Sequence, residues 1–193
     1  MSSRLRIAIA DDERDMRDYF ARILPRLGHE IVATAQNGRE LVERCHASRP
    51  DLLVLDIRMP EMDGLQALQE ICSVHPVPAI LVSAYSDQDL VRRAEENYVM
   101  AYLVKPVKQA QLAPAISLAM RRFEQLEALK KEARDLRQSL EDRKLVERAK
   151  GLLVARLHVD EAEAFRQLQK LAMQTSRKLV DIAREIVGGE GHG

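Results

Sequence analysis

The sequence predicts an α/β fold: a doubly wound, five-stranded parallel sheet, then a long helical linker and a small all-α three-helix bundle. Two patterns support this prediction. Over the first 120 residues, five short apolar runs alternate with five helical patterns, which is typical of a parallel sheet with right-handed crossovers. The runs are continuously apolar, as in strands buried on both faces. No strand-like run follows residue 120, so the remainder of the chain is predicted to be helical.

The elements of the sheet domain follow one another along the chain. The predicted strands are residues 5–10, 31–35, 52–55, 79–83 and 100–104. The helical patterns between and after them lie within residues 16–27, 41–45, 65–72, 91–94 and 112–120. Gly28 is expected to end the first helix, Asn37-Gly38 to open the second, and Ser86-Asp87 to cap the fourth.

A short heptad pattern begins after Arg121. Its apolar positions, at alternating spacings of three and four, are Leu126, Leu129, Ala133, Leu136 and Leu140. The pattern spans about two heptads, fewer than the roughly three to four that identify a coiled coil by themselves. Two interpretations therefore remain: a long helix that packs on its own domain, or the seam of a homodimer that forms on activation.

Three further helical patterns occupy residues 145–153, 162–172 and 179–187. Asp160 is expected to cap the second of these helices, and Thr175 or Ser176 the third. Helices this short are stable only when packed together, which predicts a three-helix bundle. The expected domain boundaries are residues 1–120 for the sheet domain, 121–141 for the linker, 142–187 for the bundle and 188–193 for a disordered tail.

Composition sets broad limits on function. Residues 1–120 carry 14 Lys/Arg and 17 Asp/Glu, and residues 121–193 carry 16 and 13, so the second part is mildly basic and permits nucleic-acid binding. Cys45 and Cys72 lie in predicted helices without metal-binding or redox spacing. No run resembles a signal peptide or a membrane span, so we expect a cytoplasmic protein.

Acidic side chains follow two predicted strands where each strand ends. Asp11 and Asp12 follow the first strand, and Asp56 ends the third. Because the carboxyl ends of parallel strands share one edge of a sheet, these carboxylates are expected to converge. A hard divalent cation relieves the repulsion between them, and Mg²⁺ prefers oxygen ligands. The sequence therefore predicts a magnesium site at this edge.

Ser83 and Lys105 follow two more strands and are expected at the same edge. A metal ion and the Lys105 ammonium can neutralise a transferring phosphoryl group while Asp56 attacks it in line. Each of these residues alone would be an ordinary turn residue. Their occurrence at successive strand ends favours phosphoryl-transfer chemistry.

The first 120 residues resemble the flavodoxin-like receiver domain of two-component response regulators. The matching features are Asp11-Asp12, Asp56 with the Met-Pro-x-Met-Asp-Gly run at residues 59–64, Ser83-Ala84, Tyr102 and Lys105-Pro106. The resemblance implies that a phosphohistidine of a sensor histidine kinase phosphorylates Asp56. It also implies Mg²⁺ held by Asp12 and Asp56, by Asp11 through water, and by the main-chain carbonyl of Arg58.

The same resemblance implies a switch pair formed by Ser83 and Tyr102. The hydroxyl turns toward the phosphoryl group, and the aromatic ring fills the vacated space. This movement is expected to alter the face formed by the fourth helix, the fifth strand and the fifth helix. The alternative is that Tyr102 is a plain core aromatic.

Residues 143–153 form a predicted helix whose basic residues face away from its apolar stripe. Gly151 within it costs about 1 kcal/mol relative to Ala, which a close approach of another helix would explain. The region from about residue 136 to 187 resembles the ANTAR domain, a small RNA-binding module of transcription antiterminators. The features that match are Arg143, Ala149-Lys150-Gly151, Leu152-Leu153, Glu163-Ala164-Phe165, Leu168, Ala172, Leu179 and Ala183.

The ANTAR resemblance implies binding of paired hairpins in a structured leader RNA, so that a terminator cannot form and transcription reads through. Aromatics are scarce and Phe165 is expected in the core, so recognition is expected to rely on basic and small residues. These are Arg143, Lys150, Gly151, Arg177 and Lys178. His158 stands where relatives often have a glycine-containing turn, which leaves the geometry of that turn open.

The predicted role is regulatory rather than enzymatic, apart from promotion of the domain's own phosphoryl transfer and dephosphorylation. Two alternatives remain for the output: a DNA-binding transcriptional regulator, or an output through protein contacts along the heptad pattern. A DNA recognition helix exposes Arg, Asn or Gln to a groove. The last predicted helix carries Asp181 between Lys178 and Arg184, which disfavours DNA reading.

Overall fold

The five predicted strands form one parallel sheet in the computed structural model, which describes residues 4–84 and 98–189. The strand order is β2-β1-β3-β4-β5, and every neighbouring pair is parallel. This is a doubly wound arrangement, so the predicted fold class is confirmed. The strands are β1 (Arg6–Ala10), β2 (Glu30–Ala35), β3 (Leu52–Asp56), β4 (Ala79–Ser83) and β5 (Val99–Val104).

Six helices occur in the described residues. They are α1 (Arg14–Arg26), α2 (Gly38–Ser48), α3 (Gly64–Val74), α4 (Gln109–Leu157), α5 (Glu161–Thr175) and α6 (Leu179–Gly188). The helix predicted around residues 91–94, with its Ser86-Asp87 cap, lies outside the described residues. Among the helices that are described, none combines the length and the apolar character needed to cross a membrane.

Both faces of the sheet are buried, as the continuously apolar runs predicted. Alternate residues of each strand point to opposite faces and enter separate apolar clusters. One cluster joins Ile7, Ile9, Val54 and Ile80 to Phe20 and Leu24 of α1 and Leu112 and Ile116 of α4. The other joins Ala8, Leu53, Leu55 and Leu81 to Leu41 of α2 and Leu68 of α3.

The longest helix, α4, combines three segments that the sequence predicts as separate elements. The fifth helix of the sheet domain, the linker and the first bundle helix are one helix from Gln109 to Leu157. Between Pro114 and Gly151 the sequence contains neither proline nor glycine, so nothing in it interrupts the helical hydrogen bonds. The chain divides into two compact units, Met1–Glu127 and Ala128–Gly193, and α4 contributes residues to both.

The second unit buries a small apolar core. Ala149 of α4, Leu168 of α5, and Ile182 and Ala183 of α6 are buried together, as expected for a helix bundle. Partly buried residues surround them, and Leu145, Leu153, Ala172 and Ile186 are among these. The predicted bundle is therefore present, with its first helix supplied by the end of α4.

One predicted cap of the bundle is confirmed and one is wrong. The Asp160 carboxylate accepts a hydrogen bond from the Glu163 amide at 2.7 Å and caps α5. Thr175, in contrast, donates its hydroxyl back to the Leu171 carbonyl, and Ser176 ends α5 in a left-handed conformation with φ of 53°. Because the chain turns at Ser176, α6 begins later, with Lys178 at its N-cap and no side-chain cap.

The predicted tail at 188–193 starts too early by one residue. Gly188 is the last residue of α6, and Gly189 is its C-cap. Residues 190–193 lie outside the described residues.

Candidate functional site

Four acidic side chains meet at the carboxyl edge of the sheet. Asp11 directly follows β1 and Asp56 is the last residue of β3, while Asp12 and Glu13 continue the chain from Asp11. One carboxylate oxygen from each residue lies within 4.8 Å of the others. The buried members are Asp11 and Asp56, and the exposed members are Asp12 and Glu13. The edge thus combines a buried floor of negative charge with carboxylates open to solvent.

Lys105 lies at the centre of these acids. It follows β5, and its Nζ is 2.5 Å from Asp56 Oδ2, 2.8 Å from Glu13 Oε1 and 3.1 Å from Asp11 Oδ2. Burial alone lowers the pKa of Lys105, but its hydrogen bonds to Asp56 and Glu13 and its other interactions with the acids outweigh burial, so the pKa is raised. The ammonium is therefore charged and is already positioned against the oxygens of Asp56.

One carboxylate oxygen of Asp11 lacks a hydrogen bond from the described residues. Its Oδ1 accepts a hydrogen bond from the Glu13 amide at 2.9 Å. Its buried Oδ2 lies 3.1 Å from the Lys105 ammonium, with which it forms an ion pair, but it has no hydrogen-bond partner among the described residues. Burial, and then the charge of Asp56, raise the pKa of Asp11. An unsatisfied buried carboxylate oxygen within a cluster of oxygen donors fits a bound divalent cation.

The loop after Asp56 is held tightly against the end of β3. The Arg58 amide donates to Asp56 Oδ1 at 3.0 Å, and the Gly64 amide donates to the Ile57 carbonyl at 2.9 Å. A Cβ on Gly64 would lie only 2.1 Å from the Asp56 carbonyl oxygen, so this position requires glycine. Asp63 caps α3 through a reciprocal capping box with Gln66. The sequence therefore fixes where the Asp56 carboxylate points.

Sequence reasoning missed two residues at this edge. Glu13 joins the acidic cluster and pairs with Lys105. Arg17, in α1, donates its Nη1 to the main-chain carbonyls of Asp11 at 2.7 Å and Asp12 at 2.9 Å, so it fixes the loop that carries both acids. The position of Glu13, as the third consecutive acid after a strand, could have indicated that it joins the cluster. No local pattern indicated the role of Arg17.

Ser83 and Tyr102 lie on the two neighbouring strands at this end of the sheet. Ser83 is buried, and its carbonyl accepts the Lys105 amide at 2.9 Å. Tyr102 lies on β5 between buried Ala101 and Leu103, and 38% of it is exposed. The alternative that Tyr102 is a plain core aromatic is therefore wrong.

The predicted RNA-binding residues of α4 differ in their surroundings. Arg143 and Lys150 are seven residues apart, two helical turns along one face, and Arg143 is exposed. Only 15% of the Lys150 side chain is exposed, and its Nζ lies 2.7 Å from Glu147 Oε2 and 3.2 Å from Glu161 Oε2. These two carboxylates raise the pKa of Lys150.

Gly151 does not accommodate a neighbouring helix. It is exposed, and a Cβ placed on it would meet no atom within 4 Å. The expected close helix approach is therefore wrong. The absence of a side chain leaves the backbone of α4 open beside Lys150.

Arg177 and Lys178 lie in the connection between α5 and α6. Arg177 Nη2 is 2.8 Å from Glu185 Oε1, and this pairing raises the pKa of Arg177 and lowers that of Glu185. Lys178 is the exposed N-cap of α6. No direct contact between these two residues and Arg143 or Lys150 occurs among the described ion pairs and hydrogen bonds.

Phe165 was expected in the core, and this expectation is wrong. Ala164 and Leu168 on the same helix fill the bundle core and are fully buried, whereas 36% of Phe165 is exposed. The helical spacing predicts Phe165 within the apolar stripe of α5 but does not show that the small core is complete without it.

A doubly wound sheet with converging acids and a lysine at its carboxyl edge defines a response regulator receiver domain. The family description "Response regulator receiver domain" matches residues 7–117, and the ANTAR domain description matches residues 134–187. The chain therefore belongs to the response regulators that carry a receiver domain and an ANTAR output domain. Receiver domains bind Mg²⁺ at acidic clusters of this kind.

Individual relatives support the same assignment. The transcriptional regulatory protein PdtaR of Mycobacterium tuberculosis is 42% identical over 186 residues, which cover 95% of this chain and 91% of PdtaR. The chemotaxis protein CheY of Thermotoga maritima is 35% identical over 113 residues, covering 58% of this chain and 94% of CheY. The solved CheX–CheY–BeF3–Mg²⁺ complex of Borrelia burgdorferi is similar with a TM-score of 0.54 and 28% identity, covering 57% of this chain and 85% of that one.

Proposed function

We propose that a sensor histidine kinase phosphorylates this regulator on Asp56 and that its C-terminal domain then binds hairpin RNA to cause transcription antitermination. We assign the receiver to residues 1–120, the helical linker to 121–141 and the RNA-binding domain to 142–187, and we place the start of the tail after Gly188, the last residue of α6. The observation that carries the proposal is the position of Lys105 against Asp56, at a distance of 2.5 Å, in a chain that also matches an ANTAR domain. A regulator that acts on nascent RNA is expected in the cytoplasm.

The contacts of Asp56 support its role as the nucleophile. The Arg58 amide holds Oδ1, which leaves Oδ2, facing Lys105, as the attacking oxygen. A P–O bond forms to Oδ2 while the P–N bond of the phosphohistidine breaks and the imidazole leaves. Lys105 balances negative charge on the phosphoryl oxygens during transfer and afterwards.

The metal ligands that we propose are Asp12 and Asp56, Asp11 through a water molecule, and the main-chain carbonyl of Arg58. The unsatisfied Oδ2 of Asp11 and the convergence of the carboxylates support this set. When bound there, Mg²⁺ supplies positive charge to the phosphoryl group. Arg17 keeps the loop of Asp11 and Asp12 in place through their carbonyls.

The switch pair that we propose is Ser83 and Tyr102. Phosphorylation adds roughly 1.5 to 2 negative charges and three acceptor oxygens. The Ser83 hydroxyl is a suitable donor, since its strand adjoins that of Lys105. Tyr102 is exposed enough for its ring to change position without first breaking the core.

The contacts of α6 favour RNA over DNA as the ligand. A DNA recognition helix needs free polar side chains along one face. Here the Arg184 guanidinium lies 3.3 Å from Asp181 Oδ1 on the same helix. That pairing reduces what α6 can offer to a DNA groove, whereas Arg143 and Lys178 remain exposed for a hairpin.

Phosphorylation can be tested with a radiolabelled small phosphodonor such as acetyl phosphate. The full chain and an Asp15→Asn variant, which changes an exposed acid outside the cluster, are expected to take up label in the presence of Mg²⁺. Asp56→Asn is expected to remain unlabelled with an unchanged melting temperature. Undiminished labelling of Asp56→Asn would refute the assignment.

The ligand class can be tested by titrating the phosphorylated chain with a paired-hairpin RNA and with duplex DNA of the same sequence at several salt concentrations. Tighter binding of the RNA at every salt concentration is expected. Equal or tighter binding of the duplex would favour the DNA-binding alternative. Binding to neither would favour an output through protein contacts.

A further inference from the structure

In the proposed RNA-binding domain, two carboxylates of the same domain cover the ammonium of Lys150. Lys150 Nζ contacts Glu147 from the preceding turn of α4 and Glu161 from the first turn of α5. The lysine side chain is 15% exposed, whereas those of Glu147 and Glu161 are 58% and 78% exposed. An approaching RNA therefore meets the two carboxylates before it meets the ammonium.

Both carboxylates are held in this position by the local structure. Glu147 is three residues before Lys150, a spacing at which helical side chains meet. Glu161 follows the Asp160 N-cap, and the positive end of the α5 dipole favours a negative charge there. The two acids are therefore oriented toward Lys150 without any ligand.

A carboxylate and an RNA phosphate bind an ammonium in the same way, as an oxyanion accepting N–H donors. A phosphate therefore competes with Glu147 and Glu161 for the three N–H donors of Lys150. Arg177 shows the same arrangement with Glu185 at 2.8 Å. Two of the predicted RNA-binding cations are thus paired with carboxylates of their own domain.

We propose that Glu147 and Glu161 determine RNA specificity by competing with phosphate for Lys150. An RNA that offers only its backbone charge cannot replace both acids. A hairpin that also contacts exposed groups such as Arg143, Gly151 and Lys178 gains enough additional binding to do so. This inference rests on the proposed RNA-binding function and deepens it.

The principal test compares Glu147→Gln and Glu161→Gln with the unchanged full chain. Binding of a paired-hairpin RNA and of an unstructured RNA of equal length, such as oligouridylate, is measured at several salt concentrations. Each variant is expected to bind oligouridylate about two- to fivefold tighter, the range of an exposed ion pair. The slope of log affinity against log salt is expected to steepen by up to about 0.7, corresponding to one additional phosphate contact.

The matched control is Glu163→Gln. Glu163 lies in the same first turn of α5 and undergoes the same charge change, but its carboxylate pairs with Arg166 at 3.2 Å. An effect of Glu161→Gln that is absent from Glu163→Gln identifies competition at Lys150. An equal gain in both variants would reduce the effect to overall charge and overturn the inference.

A second measurement uses Lys150→Gln as the background. Adding Glu161→Gln to it is expected to change RNA affinity no further, because the group that the acid covers is gone. A gain that persists without Lys150 would overturn the inference. If the unchanged chain binds hairpin RNA but neither acid variant alters discrimination, only this inference fails. If the unchanged chain binds no RNA, the proposed function itself fails.

Discussion

At the scale of single residues, His158 holds a backbone conformation that its side chain disfavours. It lies between α4 and α5 with φ of 53°, in the left-handed region. Glycine adopts this region freely, whereas a residue with a Cβ pays roughly 1–2 kcal/mol. The turn between α4 and α5 is thus formed with histidine in a geometry that glycine would favour.

Replacing His158 by glycine is expected to raise the free energy of unfolding by roughly 0.5–1 kcal/mol, because relief of strain exceeds the added entropy of the unfolded chain. Urea unfolding followed by circular dichroism measures the change. Ala155→Gly, at an exposed helical position of α4, is the control and is expected to lower stability by about 1 kcal/mol. Destabilisation by His158→Gly would contradict the assignment of strain.

The buried His29 predicts how the free energy of unfolding depends on pH. It is buried, its Nδ1 accepts the Leu5 amide at 3.4 Å, and burial lowers its pKa from the ordinary 6.5. The unfolded chain therefore takes up the proton first as the pH falls. The stabilisation from neutral His29 is complete above about pH 6.5 and is lost as the pH falls toward the lower pKa of the folded state.

His29→Asn can accept the same hydrogen bond but does not titrate in this range. Between about pH 7.5 and 5.5, the natural chain is expected to lose more unfolding free energy than His29→Asn does, as measured by urea titration. His46→Asn, at an exposed position, serves as the control and should behave like the natural chain. Equal losses in all three proteins would show that His29 does not cause the pH dependence.

At the scale of elements, α4 distinguishes between the two interpretations of the heptad pattern. Leu126 packs against the core of the receiver, so the pattern begins on its own domain. Leu129, Leu136 and Leu140 are 65%, 57% and 57% exposed. From Leu129 onward, no part of the chain that the structure describes covers the stripe, which favours the homodimer seam.

A homodimer seam along α4 predicts that the chain changes from monomer to dimer on activation. The chain with beryllofluoride and Mg²⁺ is expected to sediment as a dimer, because burying exposed leucines in a partner's stripe is favourable. Leu136→Ser with Leu140→Ser is expected to sediment as a monomer. Arg134→Ser with Glu141→Ser, which changes exposed residues away from the stripe, should leave the dimer intact. An activated natural chain that is monomeric at concentrations where it binds RNA would rule out the seam.

Periodicity and strand ends made most of the receiver predictable from the sequence. Apolar runs ending in Asp11 or Asp56 specify both the buried strand and the edge at which its acid emerges. Side-chain contacts distant in sequence were not predictable, and the bonds of Arg17 to the carbonyls of Asp11 and Asp12 are an example. The continuity of α4 was not predictable from its pattern, because the pattern changes near residues 121 and 142 and such changes predict helix boundaries, although no glycine or proline marks them.

The bundle was less predictable because its core is small. Helical spacing identified Leu168 as a core residue, but the same pattern also included Phe165, which is partly exposed, and left out Ala164, which is fully buried. Likewise, Gly151 was expected to lie against a helix and instead faces open space. In a core of a few side chains, periodicity identifies the face that packs but not where that face ends.

At the scale of the whole molecule, the central claim is that phosphorylation of Asp56 controls RNA binding by the second unit. The two parts differ in charge, since residues 121–193 carry an excess of three positive charges and residues 1–120 an equal negative excess. In the proposed mechanism, phosphorylation changes how the basic part meets RNA. A coupling of this kind typically changes affinity by about 5- to 150-fold.

The most direct test is the affinity of the full chain for a paired-hairpin RNA, measured with and without beryllofluoride and Mg²⁺, with Asp56→Asn as the control. Binding at least about fivefold tighter with the phosphoryl mimic, and no such response in Asp56→Asn, is the expected result. An affinity for RNA that is the same in both states would contradict phosphorylation control. A lack of RNA binding in either state would contradict the assigned output.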